Sequence, residues 1–305
     1  MNINLNANCN WNCVFCQRNH FLETHPAIKG PSMEEVKELI VKEKPSSVIF
    51  TGGGEPTMCK DLAELIRMAR AAGVNHIGVE TNGCKFKDLK YMKRLKDAGM
   101  SFLVVSVYSH NPETFDRITQ AKASFQAVDA CLKNAIKSGI TISSVICTIT
   151  SYNLNELKET VDYVKQFGVR NICFGFIRPY DNSELSRKVT PKLKDAAPYI
   201  KEALKYAKAN ELSATIGAGT DVPLCFLDGY EEYSNSAYLI ISSKEKDELH
   251  LGDRTRVSAC SLCSLRDICP GPNTTYVALH GEKEFIPSRK SKVDIEKKIL
   301  QKGVG

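Results

Sequence analysis

The stretch CNWNCVFC, from Cys9 to Cys16, places three cysteines in the spacing CxxxCxxC directly after NINLNA (2–7), a run of alternating polarity. Alternation of this kind predicts a β-strand, so the three thiols would lie on the loop that leaves the first strand. A structural zinc site is usually closed by four ligands, and His20 is the nearby candidate for a fourth. The alternative is a cubane iron-sulfur cluster held by three thiolates, in which the fourth iron remains free for another ligand.

Strand-like and helix-like segments alternate outward from this loop. The predicted strands comprise residues 2–7, 46–50, 76–80, 101–109, 141–149 and 171–177. Helical spacing of apolar residues separates them, and Ser32 is placed to cap the first helix. Six strands joined by helices predict parallel βαβ units, in which reactive groups gather at the carboxyl ends of the strands.

The pattern changes beyond the sixth strand. The segment 191–210 predicts one long helix, and turns, short extended runs and cysteines dominate the sequence after it. We place a domain boundary near 185–215 and predict an α/β domain over 1–190 and a smaller α+β domain over 191–290. The basic tail, 291–305, fits a solvated or frayed terminus better than an RNA-binding patch, because no aromatic residues are interleaved with its lysines.

Composition and charge limit the class of protein. The chain has 305 residues, 43% of them hydrophobic, and its 41 basic and 35 acidic residues give a net charge of +6. That mild excess does not indicate a nucleic-acid partner. The start, MNINLNANCNWN, lacks the basic and apolar parts of a secretory signal, and no run is long enough for a membrane span. We therefore expect a cytoplasmic protein without membrane contact, whose cysteines are reduced and available for metal.

A second motif, GGGEP (52–56), follows the second predicted strand. Glycines at such a place let backbone groups approach a ligand, although a glycine run after a strand is usually a simple turn. The motif lacks the Gly-Lys-Ser/Thr ending of a phosphate-binding loop. TNG (81–83) follows the third strand. The CxxxCxxC spacing with Phe15 before its last cysteine, together with GGGEP and TNG, resembles the signature of radical S-adenosylmethionine (SAM) enzymes.

This resemblance covers roughly residues 1–185 and implies a (β/α)6 partial TIM barrel. It implies that Cys9, Cys13 and Cys16 hold a [4Fe-4S] cluster whose fourth iron is chelated by SAM. An electron from the cluster would cleave SAM to a 5′-deoxyadenosyl radical that abstracts hydrogen from a substrate carbon. The residues that the resemblance assigns to SAM are Phe15 near the adenine, Gly53, Gly54 and Glu55 at the methionyl amino group, and Thr81, Asn82 and Ser106.

Polar residues and cysteines at other strand ends have weaker assignments. Tyr108 and Arg178 are candidates for catalysis or substrate contact, but they are equally well explained, like Glu80, as ordinary polar residues at strand ends. Cys131 and Cys147 lie on apolar faces and are expected in the core. Core packing is also favoured over hydrogen donation to a substrate radical for three more cysteines. These are Cys59, Cys84 and Cys173.

Four further cysteines lie in the smaller domain. Cys225, in the predicted strand VPLCF, precedes CSLCSLRDIC, where Cys260, Cys263 and Cys269 follow the spacing CxxCxxxxxC. A four-cysteine zinc site would explain these residues. The following TTYVALHGEKEFIP (274–287) predicts a β-hairpin around a glycine turn.

The same run resembles the auxiliary-cluster module of radical SAM enzymes, called SPASM in its full form and twitch in its shortened form. The full form has a further cysteine where this chain has Asn273, so the resemblance implies the twitch form with one auxiliary [4Fe-4S] cluster. Four ligands including Cys225 would leave no iron open and permit only electron transfer, whereas three would leave an iron that could bind substrate. The predicted strand before the triplet favours four ligands.

These observations predict a radical SAM enzyme that oxidises a small metabolite, for example by dehydrogenation, with the auxiliary cluster as electron acceptor. An external one-electron reductant of flavodoxin or ferredoxin type would supply the first electron. Peptide-modifying members commonly carry a leader-binding module before the barrel, whereas this chain reaches Cys9 almost at once. A maturase that cross-links or epimerises a ribosomally made peptide is therefore the alternative. RNA modification and a non-enzymatic, metal-stabilised module rank below both.

Overall fold

The computed structural model describes residues 1–5, 7–18, 30–217, 220–243 and 253–303. Within these residues the chain forms seven β-strands, one more than predicted. They are β1 (Asn2–Asn4), β2 (Ser47–Thr51), β3 (His76–Thr81), β4 (Phe102–Ser106), β5 (Thr141–Ile149), β6 (Asn171–Phe176) and β7 (Ser213–Ile216). The six predicted strands are confirmed, although β1 and β4 are shorter than expected.

Helices follow most of the strands. They are α1 (Met33–Glu43), α2 (Leu62–Ala71), α3 (Leu89–Ala98), α4 (Pro112–Thr119), α5 (Ser124–Ser138), α6 (Leu157–Lys165), α7 (Glu184–Val189), α8 (Leu193–Ala209), α9 (Asn235–Ser242), α10 (Thr274–His280) and α11 (Lys292–Lys302). Single turns of 3-10 helix include Pro56–Met58, Cys84–Lys87, Leu224–Phe226 and Ser258–Leu262. In the described parts of the chain, each helix is too short or too polar to cross a membrane.

The strands lie in one sheet in the order β1-β2-β3-β4-β5-β6-β7. Ile49 of β2 pairs in parallel with Asn2 of β1 and Gly78 of β3, and Ile172 of β6 pairs in parallel with Ala214 of β7. This order confirms the predicted parallel α/β array and adds β7 next to β6. Because neighbouring strands are parallel, the carboxyl ends of β1 to β4 lie side by side, where the cysteine loop, GGGEP and TNG begin.

The chain forms two compact units. Unit 1 comprises Met1–Ile146 and Tyr163–Val169, and unit 2 comprises Cys147–Asp162 and Arg170–Gly305. Strands β1 to β4 and helices α1 to α5 belong to unit 1, whereas β6, β7 and helices α7 to α11 belong to unit 2. The first cysteine group therefore lies in unit 1, and the second lies in unit 2.

Local sequence signals account for the first helix and for the core of unit 1. Ser32 caps α1 as predicted: the Glu35 backbone N–H donates to its hydroxyl at 3.2 Å, and the Ser32 N–H donates to the Glu35 carboxylate at 2.7 Å. This reciprocal pair satisfies two donors at the helix start. Alternate residues of the strands, such as Val48, Phe50 and Ile77, are fully buried. Helices on the sheet cover these apolar strands, as expected for parallel units.

The predicted hairpin in unit 2 is wrong, because Thr274–His280 is helix α10. Asn273 caps this helix by accepting the Tyr276 backbone N–H at 3.0 Å. Tyr276 and Leu279, three residues apart, are both buried, which is helical rather than extended spacing. The cap and this buried face outweigh the strand preference of the β-branched and aromatic residues in the run.

Two further expectations for unit 2 need correction. The segment around Cys225 is a 3-10 turn at Leu224–Phe226 rather than a strand, because the Leu224 N–H donates to the Cys269 sulfur instead of to a neighbouring strand. The basic tail is not frayed over its described part. It forms α11, whose Ile295 and Ile299 are buried, whereas its Lys297 and Lys298 are exposed. The long helix predicted over 191–210 is confirmed as α8.

Candidate active site and second cysteine cluster

The cysteine loop, residues 9–16, is held in unit 1 by backbone hydrogen bonds to the end of α4. The Asn12 N–H donates to the Thr119 carbonyl at 3.1 Å, and the Val14 N–H donates to the Ile118 carbonyl at 2.9 Å. The three thiols of the loop are half-buried. The loop is thus fixed by its backbone, while its sulfur atoms remain accessible to a ligand.

Electrostatics indicate that this thiol group suits a cation. Burial raises the pKa of the Cys9 and Cys13 thiols, and the neighbouring cysteines raise both further, because each thiolate would repel the next. The Cys9 sulfur accepts hydrogen bonds from the Trp11 N–H at 3.5 Å and from Asn82 Nδ2 at 3.7 Å. Positive charge bound beside Cys9 and Cys13 would favour their thiolate forms, and an iron-sulfur cluster supplies such charge.

The zinc alternative for this loop relied on His20, which lies outside the described residues. Across the described ranges, no three His, Cys, Asp or Glu side chains are arranged to hold a single metal ion. A cubane cluster is bound at its corners, so its ligands surround a volume and need not converge on one point.

Gly54 of GGGEP packs directly against Asn8, the residue before the cysteine loop. The Glu55 N–H donates to the Asn8 carbonyl at 2.7 Å. A Cβ atom on Gly54 would lie 2.1 Å from the same carbonyl oxygen, whereas a Cβ on Gly53 would meet nothing within 4 Å. Gly54 is therefore required for the close approach of two backbones, and Gly53 borders open space in which a ligand could lie.

The Glu55 side chain has a positioning role that the sequence did not reveal. It is 2% exposed, and its Oε1 accepts the Thr57 N–H at 3.1 Å and the Thr57 and Thr81 hydroxyls at 2.7 Å each. Its Oε2 accepts the Asn82 N–H at 2.8 Å. Burial raises the pKa of the Glu55 carboxyl, and these hydrogen bonds oppose that rise. The carboxyl thereby joins the end of β2 to the end of β3.

Asn82 extends this network to the cysteines. Its Nδ2 donates to Asn10 Oδ1 at 2.9 Å as well as to the Cys9 sulfur. Glu55, Asn82, Asn10 and Cys9 therefore form a continuous chain of contacts. Asn10 is a member that sequence analysis missed, and the only signal for it was the richness of the loop in asparagine.

Tyr108 is buried rather than available to a substrate. Its side chain is 6% exposed, and its ring packs edge-on against Phe15 with centroids 5.1 Å apart. The hydroxyl hydrogen-bonds the Cys13 thiol and the Ser106 side chain, and burial and the Cys13 charge raise the pKa of the Tyr108 phenol. Tyr108 thus connects two residues assigned to the cofactors by sequence, Cys13 and Ser106.

In unit 2, four cysteines from two separate parts of the sequence line one cleft. They are Cys225, Cys260, Cys263 and Cys269. The rest of the wall is largely apolar and includes Pro223, Phe285 and Ile286. The cleft brings together the four cysteines that the sequence grouped.

The electrostatic environment of the thiols in this cleft also favours a bound cation. Burial and the charges of the other three thiols raise the pKa of Cys225. The Cys269 sulfur accepts backbone N–H groups of Leu224 and Gly271, each at 3.4 Å. Such N–H···S contacts stabilise a thiolate, and they are among the features that set cluster potentials. Arg256 Nη2 donates to the Cys269 carbonyl at 2.9 Å and so stabilises the backbone at this cysteine.

The remaining candidates divide into two groups. Cys131 and Cys147 are fully buried, which confirms their place in the core. Core packing is wrong for the other three cysteines, because all of them are half-buried near strand ends; they are Cys59, Cys84 and Cys173. Arg178 lies in unit 2 just after β6, and its Nη2 contacts Asp253 Oδ2 at 3.2 Å.

Residues 3–164 match the family model described as Radical SAM superfamily. The chain belongs to the radical SAM superfamily. Members of this family use a [4Fe-4S] cluster together with SAM.

Two curated relatives act on different substrates. A 7,8-dihydro-6-hydroxymethylpterin dimethyltransferase of Methanocaldococcus jannaschii is 29% identical over 185 residues, which make up 57% of this chain and 36% of the relative. A probable GTP 3′,8-cyclase of Saccharolobus islandicus is 28% identical over 202 residues, or 66% of this chain and 64% of the relative. The match thus spans about a third of one relative's length and just under two thirds of the other's.

Solved radical SAM structures share the fold across nearly the whole chain. The structure of native anSMEcpe with bound AdoMet has a TM-score of 0.61 and 14% identity, and it covers 99% of this chain and 95% of that one. Streptococcus suis SuiB bound to its precursor peptide SuiA has a TM-score of 0.60 and 15% identity, over 94% and 74% of the two chains. At these identities, the likeness concerns the fold alone.

Proposed function

We propose that this radical SAM enzyme oxidises a small metabolite, with SAM and one cluster at the cysteine loop and an auxiliary [4Fe-4S] cluster in the four-cysteine cleft. When bound, the two clusters and SAM would supply a hydrogen-abstracting adenosyl radical and an acceptor for the electron left on the substrate. A C–H bond would lose its hydrogen atom to the adenosyl group, and the substrate would then lose one proton and that electron. The external reductant would be a flavodoxin or ferredoxin.

The residues of unit 1 would bind and orient SAM. Cys9, Cys13 and Cys16 supply three thiolates and leave one position for SAM. Gly53 leaves space beside them, and Glu55 holds Asn82 against the loop. Phe15, Thr81 and Ser106 are further proposed contacts, of which Thr81 is already engaged by Glu55 at 2.7 Å.

The observation that carries the oxidative proposal is the cleft in unit 2 that is lined by four cysteines: Cys225, Cys260, Cys263 and Cys269. Four thiolates would occupy every iron of a cubane, so such a cluster would exchange electrons without binding substrate. Electron acceptance of this kind suits an enzyme that completes its reaction by oxidising a substrate radical. The names of the curated relatives, a GTP cyclase and a pterin methyltransferase, support a small-molecule substrate.

The test compares iron content and SAM cleavage in protein reconstituted anaerobically with iron and sulfide. We expect about eight irons per chain and formation of 5′-deoxyadenosine with SAM and dithionite. Replacing the four cysteines of the cleft with alanine should remove about half of the iron while SAM cleavage continues. Cys59→Ser, outside both groups, is the control and should change neither. Zinc in place of iron, or no deoxyadenosine, would overturn the proposal.

A peptide substrate is the second candidate, because the structures of anSMEcpe and SuiB with peptides share the fold over almost the entire chain. The same reconstituted enzyme would be incubated with lysate metabolites smaller than ~1 kDa, the size range of ligands that small-molecule sites hold. In a separate assay it would be incubated with the peptide fraction. Stimulation of deoxyadenosine formation by the peptide fraction alone would favour this candidate over a metabolite.

A further inference from the structure

A second cavity lies in unit 2 at the carboxyl end of β6. Its wall includes two arginines, Arg178 and Arg254, and one buried carboxylate, Asp221. Two of its wall residues, Pro223 and Pro272, also line the four-cysteine cleft. The cavity is therefore the immediate neighbour of the proposed auxiliary-cluster site.

The buried part of this cavity carries a fixed ion pair. Arg254 Nη2 lies 3.5 Å from Asp221 Oδ2, and the two side chains are 10% and 0% exposed. Asp221 also hydrogen-bonds the Ser236 hydroxyl, and Arg254 Nη1 donates to the Gly271 carbonyl at 3.3 Å. Because both partners are desolvated, exchange of this pair for a ligand would be costly. Arg254 and Asp221 thus form the permanent base of the cavity.

Arg178 is different, because its partner is replaceable. It pairs with Asp253 at 3.2 Å, but the Asp253 side chain is 76% exposed, whereas that of Arg178 is 26% exposed. An exposed ion pair contributes only ~0–1 kcal/mol. A ligand oxyanion entering the cavity could therefore take the place of Asp253 at little cost.

The charges of the described wall residues favour such a ligand. Arg178 and Arg254 are close enough for the positive charge of Arg178 to lower the pKa of Arg254, in addition to the larger lowering by burial. Two carboxylates balance these positive charges, Asp221 in the wall and the exposed Asp253 on Arg178, so displacement of Asp253 would leave the wall with a net charge of +1 for a ligand to neutralise. The amide of Asn273 and the phenol of Tyr276 are bound to neighbouring groups and add no charge.

We propose that this cavity binds an oxyanion of the substrate, a carboxylate or a phosphate, through the guanidinium of Arg178 beside the Arg254–Asp221 pair. Guanidinium groups bind both anions through paired N–H donors. The inference rests on the proposed function in one respect: the oxyanion would hold the substrate next to the auxiliary cluster. It narrows the substrate to anionic molecules.

Binding of simple anions tests this proposal without turnover. The reconstituted full chain would be titrated with inorganic phosphate and, separately, with acetate by calorimetry at constant ionic strength, with chloride as the balancing anion. We expect saturable binding of at least one anion. Binding of phosphate alone would indicate a phosphorylated substrate, and binding of acetate alone would indicate a carboxylate. Both results support the site.

Two variants should have effects of opposite sign. Arg178→Gln should weaken anion binding by about tenfold or more, because a charged hydrogen bond is lost. Asp253→Asn should tighten binding by about two- to fivefold, because it removes the competing carboxylate at an exposed pair. Arg178→Lys should retain part of the affinity. Arg67→Gln, which breaks another exposed pair with Glu64 at 2.7 Å, should change nothing.

The proposal is overturned if neither anion binds saturably, if Arg178→Gln binds like the wild type, or if Asp253→Asn fails to tighten binding. These assays need no SAM and no reductant. Loss of the anion site would consequently leave the iron content and deoxyadenosine formation that test the proposed function unaffected.

Discussion

The two cysteine groups differ in what surrounds their sulfur atoms. In unit 1, three half-buried thiols lie on one loop, and polar groups support them through Asn82 and the buried Glu55. In unit 2, four thiols from two separate segments, one at Cys225 and one at 260–269, line one cleft, and its walls are largely apolar. The first group is local in sequence and open, whereas the second is assembled by the fold.

This difference fits the two roles proposed for the sites, SAM binding at the first and electron transfer at the second. An open, polar site suits a cofactor with amino and carboxylate groups, which a free iron and backbone groups can bind. A cleft with four thiols and apolar walls suits a cluster that needs only protein ligands, where burial and N–H···S contacts adjust its potential. The five predictions below test this difference between the two sites.

The largest effect is expected for Cys13→Ala. Removal of one of three thiolates should abolish 5′-deoxyadenosine formation and lower iron content by about four atoms per chain. Iron analysis and product chromatography of the reconstituted variant provide the measurement. Normal SAM cleavage by this variant would mean that the loop is not the site of SAM cleavage.

Cys225→Ala should separate the two groups. We expect loss of auxiliary-cluster iron and of substrate oxidation, with deoxyadenosine formation retained, because the cysteine loop is unaltered. Iron analysis with Mössbauer spectroscopy would follow the auxiliary cluster. Full auxiliary iron and normal turnover would show that three cysteines suffice and that one iron is open.

Gly54→Ala should distort the polar side of the first site. The added Cβ would lie 2.1 Å from the Asn8 carbonyl oxygen, so the cysteine loop must shift. We expect a loss of about 1–3 kcal/mol in the free energy of unfolding, together with weaker SAM binding. Urea denaturation measures the first quantity.

Gly53→Ala is the matched control, because its Cβ would meet nothing within 4 Å. Its free energy of unfolding should stay within about 0.5 kcal/mol of the wild type. Equal destabilisation by the two alanines would contradict the close approach of Gly54 to the loop.

Glu55→Gln should weaken the link between β2 and β3. The amide presents an N–H group where the carboxylate accepts hydrogen bonds from the Asn82 N–H or from Thr57 and Thr81. The expected cost is roughly 1–3 kcal/mol in the free energy of unfolding, measured in urea. Glu64→Gln, at an exposed pair, should cost no more than ~1 kcal/mol. Equal stability of Glu55→Gln and Glu64→Gln would contradict the link that the Glu55 carboxyl makes between β2 and β3.

The smallest effect is expected for Tyr108→Phe. Its hydroxyl hydrogen-bonds the Cys13 thiol, and hydrogen bonds to ligating sulfur favour the reduced cluster. The variant should therefore have a more negative midpoint potential in a redox titration followed by electron paramagnetic resonance. Tyr91→Phe, whose hydroxyl donates to the Thr57 carbonyl at 3.5 Å, is the control. An unchanged potential in Tyr108→Phe would rule out a tuning role.

Much of the parallel array could be predicted from the sequence, because helical and strand periodicity and the Ser32 cap are local signals. The three-cysteine loop was also local. Strand β7 was missed, because Ser213–Ile216 is only four residues long. Helix α10 was predicted as a hairpin, because the residues that follow its cap, Asn273, favour strands. The domain boundary near 185–215 and the SAM contacts stay predictions.

The sequence by itself determined the cysteine spacing, the position of the glycines after β2 and the family to which the chain belongs. Only the tertiary structure decided that Glu55 faces inward, that Tyr108 contacts Cys13, and that Arg178 and Arg254 share a cavity. The physical reason is separation along the chain. Residues 27 to 92 positions apart, such as Glu55 and Asn82 or Arg187 and Leu279, meet through packing of the sheet and helices, which no local pattern encodes.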